Sequence, residues 1–252
     1  MSYREILPHP ALRAWVDRFW VREPETGAGG PDCILPDGCV DVLIGLDSRA
    51  VHVVGTMTEA LHVQAQPVST AAVRFRPGAA AALLGVAAHE LTDCRVPLAE
   101  LGRSWLSPRA LEAASPSAAL RVLEASLLAR LDGAALQPAV ARTVELCFGS
   151  TPPTVEGLAR EVGWSRQRLR RVLLDEVGIS AKQLLRVGRL QRAVDQLQRR
   201  PRASLAQEAV RLGYFDQAHM CRDFRELVGL SPGAVRAAPR TIFPIRSLLA
   251  GA

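Results

Sequence analysis

The feature that most constrains this chain is a pattern written twice between Thr154 and Ser231. The first copy reads VEGLAREVGWSRQRLRRVLLDEVGIS (155–180) and the second LAQEAVRLGYFDQAHMCRDFRELVGLS (205–231). Gly163 aligns with Gly213 at an offset of 50. Ser165 with Asp216, Arg171 with Arg222 and Gly178 with Gly229 align at 51, so the second turn is one residue longer. A fixed period marks one supersecondary unit used repeatedly. Each copy predicts two short helices around a glycine turn. In the first, Val155, Leu158, Ala159 and Val162 share a helical face, Gly163 permits the left-handed backbone that ends a helix, and Ser165 suits the N-cap of the next. That next helix buries Leu169, Val172, Leu173 and Val177. In the second copy Leu205, Ala209 and Leu212 form the stripe, Ser204 and Gln207 make a capping box, and Asp216 caps a helix that buries Met220, Phe224, Leu227 and Val228.

The opposite faces carry the chemistry. The first copy presents Gln167, Arg170 and Arg171, flanked by Ser165, Arg166 and Arg168; the second presents Gln217, Ala218, Cys221, Arg222 and Arg225. Arginine offers a bidentate fork to guanine, glutamine an amide pair to adenine, and a compact apolar side chain a contact to the thymine methyl. One such face is as readily the solvated side of a helical bundle. Two copies with the same cap, turn and arginine position favour a surface that reads duplex DNA.

At these residues the chain resembles the AraC family of bacterial transcription regulators. The resemblance covers about residues 136–238, including AKQLLRVGRLQRAVDQL (181–197), similar to the family's connecting helix, and GYFDQAHMCRDFRELVGLSP (213–232), similar to its signature. Glu208 departs from the pattern, since the matching slot of the first copy is apolar. Ala218 is small where a longer polar reader often sits, which implies fewer base contacts from the second helix. The first 132 residues resemble the N-terminal domain of a subgroup of AraC-type regulators, through ILPDGCVDVLI, VVGTMT and VRFRPGAAAALLGV. The resemblance implies a regulator that binds double-stranded DNA, with RNA polymerase, a small-molecule effector and a second copy of the chain as further partners. A barrel-like sensor is also implied, because the family's partner domain is a cupin-like barrel.

Charge supports a division of labour. Residues 151–240 hold 17 Arg and Lys against 9 Asp and Glu, whereas the rest of the chain holds 14 against 16, for a net charge of +6 over 252 residues. A basic block beside a mildly acidic one suggests a polyanion-binding half and a half with another task. The N-terminus, MSYREILPHP, lacks the apolar core of a signal peptide, and the apolar stretch GAAAALLGVAA (78–88) is too short to span a bilayer. The expectation is a soluble, cytoplasmic protein without membrane contact. The five cysteines (33, 39, 94, 147 and 221) include no C-x-x-C pair, so no metal or cofactor is expected.

In chain order, Leu12, Trp15, Val16 and Phe19 are spaced for a short helix that becomes extended near Trp20, and 23–32 reads as a glycine-rich loop. Strands are expected within 35–46, 52–56, 61–66 and 70–76, which implies a small antiparallel sheet or barrel. Residues 79–86 read as a helix, 89–102 as short helical turns, and Ser107-Pro108 opens another helix. Residues 116–131 form an amphipathic helix. Its Leu120, Leu123, Leu127, Leu128 and Leu131 either pair with a second copy or pack on the chain's own sheet. A helix over 136–148, a long one over 181–199 capped by Ser180 and Gln183, and a partly disordered tail beyond Pro232 complete the reading. The fold expected is α+β: a sensor or dimerisation domain (1–132), an all-α DNA-binding domain of two helix–turn–helix units joined by a long helix (133–238), and a tail (239–252).

An enzyme is not expected. Asp37, Asp41, His52, His62, Arg74 and Arg76 fall on strands or turns of the N-terminal half, but their spacing matches no catalytic or metal template. The simpler reading has Asp37 serving its turn and the others facing solvent. Cys33 and Cys39 leave open a second class, in which the N-terminal half is a DNA-targeted enzyme, a cysteine alkyl acceptor or a redox sensor. Buried, inert thiols are the simpler reading there too.

Overall fold

The computed structural model describes residues 2–23, 32–63, 68–102, 106 and 108–237. Its N-terminal half is built on a six-stranded antiparallel sheet of β1 (Ser2–Ile6), β2 (Val16–Glu23), β4 (Val40–Gly45), β5 (Ala50–Val54), β7 (Thr70–Phe75) and β8 (Arg95–Pro97), in the order β1-β2-β7-β4-β5-β8. A separate pair joins β3 (Asp32–Ile34) to β6 (Leu61–Val63). Strand alternation sets the core. Phe19, Val73, Val42, Val53 and Val96 are successive register partners across β2, β7, β4, β5 and β8, and the first four are buried. Helices α1 (Ala80–Leu84) and α2 (Pro116–Leu128) complete this core with Leu83, Leu84, Leu120, Leu123 and Leu127. The leucine stripe of α2 packs against its own sheet, and Leu128 and Leu131 lie partly buried against the same core.

Three stretches fold differently from expectation. Residues 12–19 form not a helix but a short 3-10 turn (Pro10–Leu12) followed by β2. The register of β2 slips between Val16 and Arg18, where Asp17 is the extra residue. That bulge puts Val16 and Phe19, three residues apart, on the same face of a strand, which is the spacing that otherwise signals a helix. Residues 89–102 contain short helical turns at Ala88–Glu90 and Leu98–Leu101, but also strand β8. Its Pro97 lacks an N–H and is tolerated because β8 stands at the sheet edge. The helix expected from Ser107-Pro108 is a single turn, Pro108–Ala110; Ser107 lies outside the described residues, as does most of the 23–32 loop.

The C-terminal half is helical: α3 (Pro138–Phe148), α4 (Val155–Glu161), α5 (Arg166–Val177), α6 (Ala181–Arg199), α7 (Leu205–Arg211), α8 (Gln217–Val228) and α9 (Pro232–Ala237). Helix α6 serves two cores. Its Ala181, Leu184 and Val187 pack with α3, α4 and α5, and its Leu190, Ala193, Val194 and Leu197 pack with α7, α8 and α9. Residues 232–237, expected in the tail, belong to the second core: Val235 is buried and Arg236 donates to the Ala203 carbonyl at 3.0 Å. The remainder of the expected tail, 239–252, lies outside the described residues. Leu35 and Cys33, from the N-terminal half, are buried inside the second helical core.

Candidate nucleic-acid interface

In the first helix pair, the Thr154 hydroxyl accepts from the Gly157 N–H at 3.1 Å and caps α4. The chain turns at Gly163, and the Ser165 hydroxyl accepts from the Arg168 N–H at 3.2 Å to cap α5. Gly163 and its counterpart Gly213 have φ of +66° and +82°, the left-handed backbone that glycine adopts without a steric penalty. Leu169, Val172, Leu173 and Val177 are buried, so Ser165, Arg166, Gln167, Arg168, Arg170 and Arg171 are all left exposed. Two of these arginines have partners: Arg166 meets Glu156 at 2.9 Å, and the Arg168 guanidinium lies 4.9 Å over the Trp164 ring. Among the described residues, nothing engages Gln167, Arg170 or Arg171.

The second pair follows the same plan with two differences. Asp216 caps α8, accepting from the His219 N–H at 2.6 Å. At the start of α7 the expected capping box does not form, because the Ser204 side chain makes no cap bond. Glu208 sits where the first copy has Leu158. It is buried, with Arg200 and Arg211 each 3.6 Å away and one carboxylate oxygen unpartnered. Met220, Phe224, Leu227 and Val228 are buried as expected; Gln217, Ala218, Arg222 and Arg225 are exposed, and Cys221 is half-buried. An ionic bolt ties α8 to α6: Asp223, itself buried, meets Arg186 at 2.6 Å and Arg189 at 3.3 Å. The Arg189 guanidinium also lies 4.6 Å over the Tyr214 ring, and burial pushes the Tyr214 phenol well above its usual range. Breaking such a pair would strand a buried charge, so the orientation of α8 on α6 is fixed. Between the two pairs lies a cleft of about 620 Å³ whose lining includes Arg189, Arg192 and Arg211.

The far ends of both exposed helices are held by the N-terminal half. A helix leaves its last carbonyls without partners. At the end of α5, the Thr56 hydroxyl donates to the Val177 carbonyl at 2.6 Å and the Thr92 hydroxyl to the Gly178 carbonyl at 2.8 Å. Gly178 has φ of +90°, and a Cβ there would lie 2.8 Å from Thr92 Oγ1, so only glycine allows this approach. At the end of α8, the Ala60 N–H donates to the Leu227 carbonyl at 2.7 Å, and His62 Nε2 lies 3.0 Å from the Val228 carbonyl. One segment, Thr56 to His62, therefore reaches from the end of one helix to the end of the other. Beside it, Gln191 of α6 donates to the Pro36 carbonyl at 2.7 Å. The sequence carried no signal for these contacts, because their partners lie 86 or more residues apart.

Of the polar residues singled out in the N-terminal half, Asp37, Asp41 and Arg74 come together and the others lie apart from them. Arg74 pairs with Asp41 at 3.3 Å and lies 3.8 Å from Asp37, and the Trp20 indole donates to Asp41 at 3.0 Å. Arg74 and Asp41 are thus paired, where solvent exposure was expected. Asp37 serves its turn by accepting from the Cys39 N–H at 2.8 Å, and burial pushes its carboxyl up to about 6 against the pull of Arg74. Arg76 donates instead to the Arg13 carbonyl, His62 belongs to the α8 end, and His52 stands apart on β5. Among the described residues no group of three metal-ligating side chains occurs. Burial raises the thiols of Cys33, Cys39 and Cys147, the last to about 12, which disfavours the thiolate that alkyl transfer or oxidation requires.

Residues 158–238 match a family described as a helix-turn-helix domain, and residues 4–97 match a domain of unknown function (DUF6597). The C-terminal part of the chain thus carries a helix-turn-helix domain of the AraC type. Within the matched residues, α5 and α8 are the second helices of the two helix pairs. Among solved structures, the C-terminal domain of the response regulator AraT from Geobacillus stearothermophilus is 28% identical, with a TM-score of 0.36, covering 40% of this chain and 85% of that one. ToxT from Vibrio cholerae is 9% identical, with a TM-score of 0.42, covering 94% of this chain and 98% of that one. A ToxT structure with bound unsaturated fatty acid is 8% identical, with a TM-score of 0.39 and 93% of each chain covered. No curated protein matches the chain. None of the described helices is long and apolar enough to cross a membrane.

Proposed function

We propose that this regulator reads an asymmetric DNA site with α5 and α8 in successive major grooves, and that residues 1–132 control residues 133–238 through the ends of those helices. The observation that carries this reading is the pair of capped helices, one side buried and the other presenting Gln167, Arg170 and Arg171 or Gln217, Arg222 and Arg225, both mounted on α6. Long polar side chains of these types suit base edges. The cleft between the two helix pairs, with Arg189, Arg192 and Arg211 in its lining, suits the intervening phosphates. A small-molecule effector held by residues 1–132 acts by favouring one setting of the Thr56–His62 segment, and it shifts DNA affinity only by its differential affinity for the two settings.

The test is footprinting of the full chain on duplexes enriched from a random pool. The expected result is two short protected blocks per protomer, centred about 34 Å or one helical turn apart. A single short block per protomer overturns the two-groove reading.

A further inference from the structure

The two readers are chemically unlike on the side that faces outward. Set at the offset of 51, the positions of Gln167 and Arg170 in α5 are filled by Ala218 and Cys221 in α8, whereas Arg171 keeps its counterpart in Arg222. The one-residue insertion falls in the second turn. Trp164 matches Tyr214 after the turn glycine, and Ser165 matches Asp216 as the cap, which leaves Phe215 without a counterpart. Phe215 is 87% exposed. Its N–H donates to His219 Nδ1 at 3.3 Å, so the turn that presents it is held to α8. Phe215 stands in the turn just before the cap Asp216, and Ala218 and the half-buried Cys221 follow three residues apart on neighbouring positions of the first turns of α8. A phenyl ring in water forgoes the stabilisation that burial gives, and no neighbour in the fold covers this one.

Resting on the reading that α8 enters a major groove, we propose that the second unit recognises thymine by its 5-methyl group, with Phe215, Ala218 and Cys221 as the apolar strip that receives it. Among the four bases only thymine carries a methyl into the major groove, and alanine and phenylalanine are side chains that meet it there. The first unit, with Gln167, Arg170 and Arg171, addresses adenine and guanine edges instead. The operator is then two blocks of different character, a purine-edge block under α5 and a thymine block under α8.

Uracil tests this without touching the protein, because it keeps every pairing and groove atom of thymine except the methyl. The full chain is first used to enrich duplexes from a random pool, and the block under α8 is the one whose protection Arg222→Ala removes. Replacing the thymines of that block by uracil is expected to weaken binding about fourfold per contacted methyl, and the same replacement in the other block by less than about twofold. Phe215→Ala is expected to weaken binding to the thymine duplex and to shrink its difference from the uracil duplex. Equal affinity of wild type for the two duplexes, or an α8 block without thymine, overturns the proposal while leaving the regulator reading intact. Failure to enrich any sequence overturns the DNA-reading assignment, and this one with it.

Discussion

Leu35 offers the sharpest perturbation of how the two halves are coupled. It precedes β4 in the N-terminal half, yet it is 0% exposed and sits among Leu190, Val194, Leu227 and Val228 in the core under α8. Leu35→Ala removes a fully buried aliphatic side chain, a change that costs about 2–5 kcal/mol. The loss falls on the second helix–turn–helix unit, because the first unit has its own core of Val144, Leu158, Leu169 and Leu173. Hydrogen exchange read peptide by peptide separates the two. At a factor of ten per about 1.4 kcal/mol, the lower bound predicts a fall in protection of about 30-fold across α7 and α8, with α4 and α5 unchanged. Footprints should lose the α8 block first. Unchanged exchange in α7 and α8, or an equal loss over both units, would falsify the assignment of Leu35 as a brace of the second unit alone.

Two further outcomes follow from the site geometry. Asp37 is buried with its carboxyl raised from 3.8 to about 6, so the folded state holds that proton more tightly than the unfolded chain. Stability is fully present below about pH 4 and is lost as pH rises through about 6; relative to Asp37→Asn, the wild type should lose up to about 3 kcal/mol between pH 4 and 7, read by urea unfolding, and a difference that is flat or rises with pH rejects it. Arg171→Ala should cost about 1–3 kcal/mol on an enriched duplex if a bidentate base contact is lost, and an equal loss on random DNA would mark Arg171 as a phosphate contact instead.

The helical half was legible because its signals are local. Caps at Ser165, Ser180 and Asp216 and turns at Gly163 and Gly213 fall within a few residues of the apolar stripes they delimit. The strands of the sheet were legible for the same reason from β4 to β7. Where a single extra residue altered the parity, as at Asp17 in β2, apolar spacing imitated a helix. Edge strand β8 exists only through its pairing with β5, and nothing within three residues announces it. The candidate reading residues named from the sequence are all exposed apart from the half-buried Cys221. Phe215 was within reach, since the offset already changed from 50 to 51 across its turn. The contacts of Leu35, Thr56 and His62 with the helical half were out of reach, because their partners are fixed only by the finished tertiary fold.

The segment from Thr56 to His62 also acts as a caliper. Six extended residue steps span at most about 20 Å, so while its end bonds hold, the trailing ends of α5 and α8 cannot separate further. A protein with a flexible joint between its readers adjusts to the spacing of its site; under the proposed two-groove reading, the adjustment here falls to the duplex. If the grooves of straight DNA do not present themselves at the separation this caliper allows, the DNA has to bend, at a cost that depends on the base steps lying between the two blocks. Those steps, touched by neither reader, then become part of what the regulator discriminates.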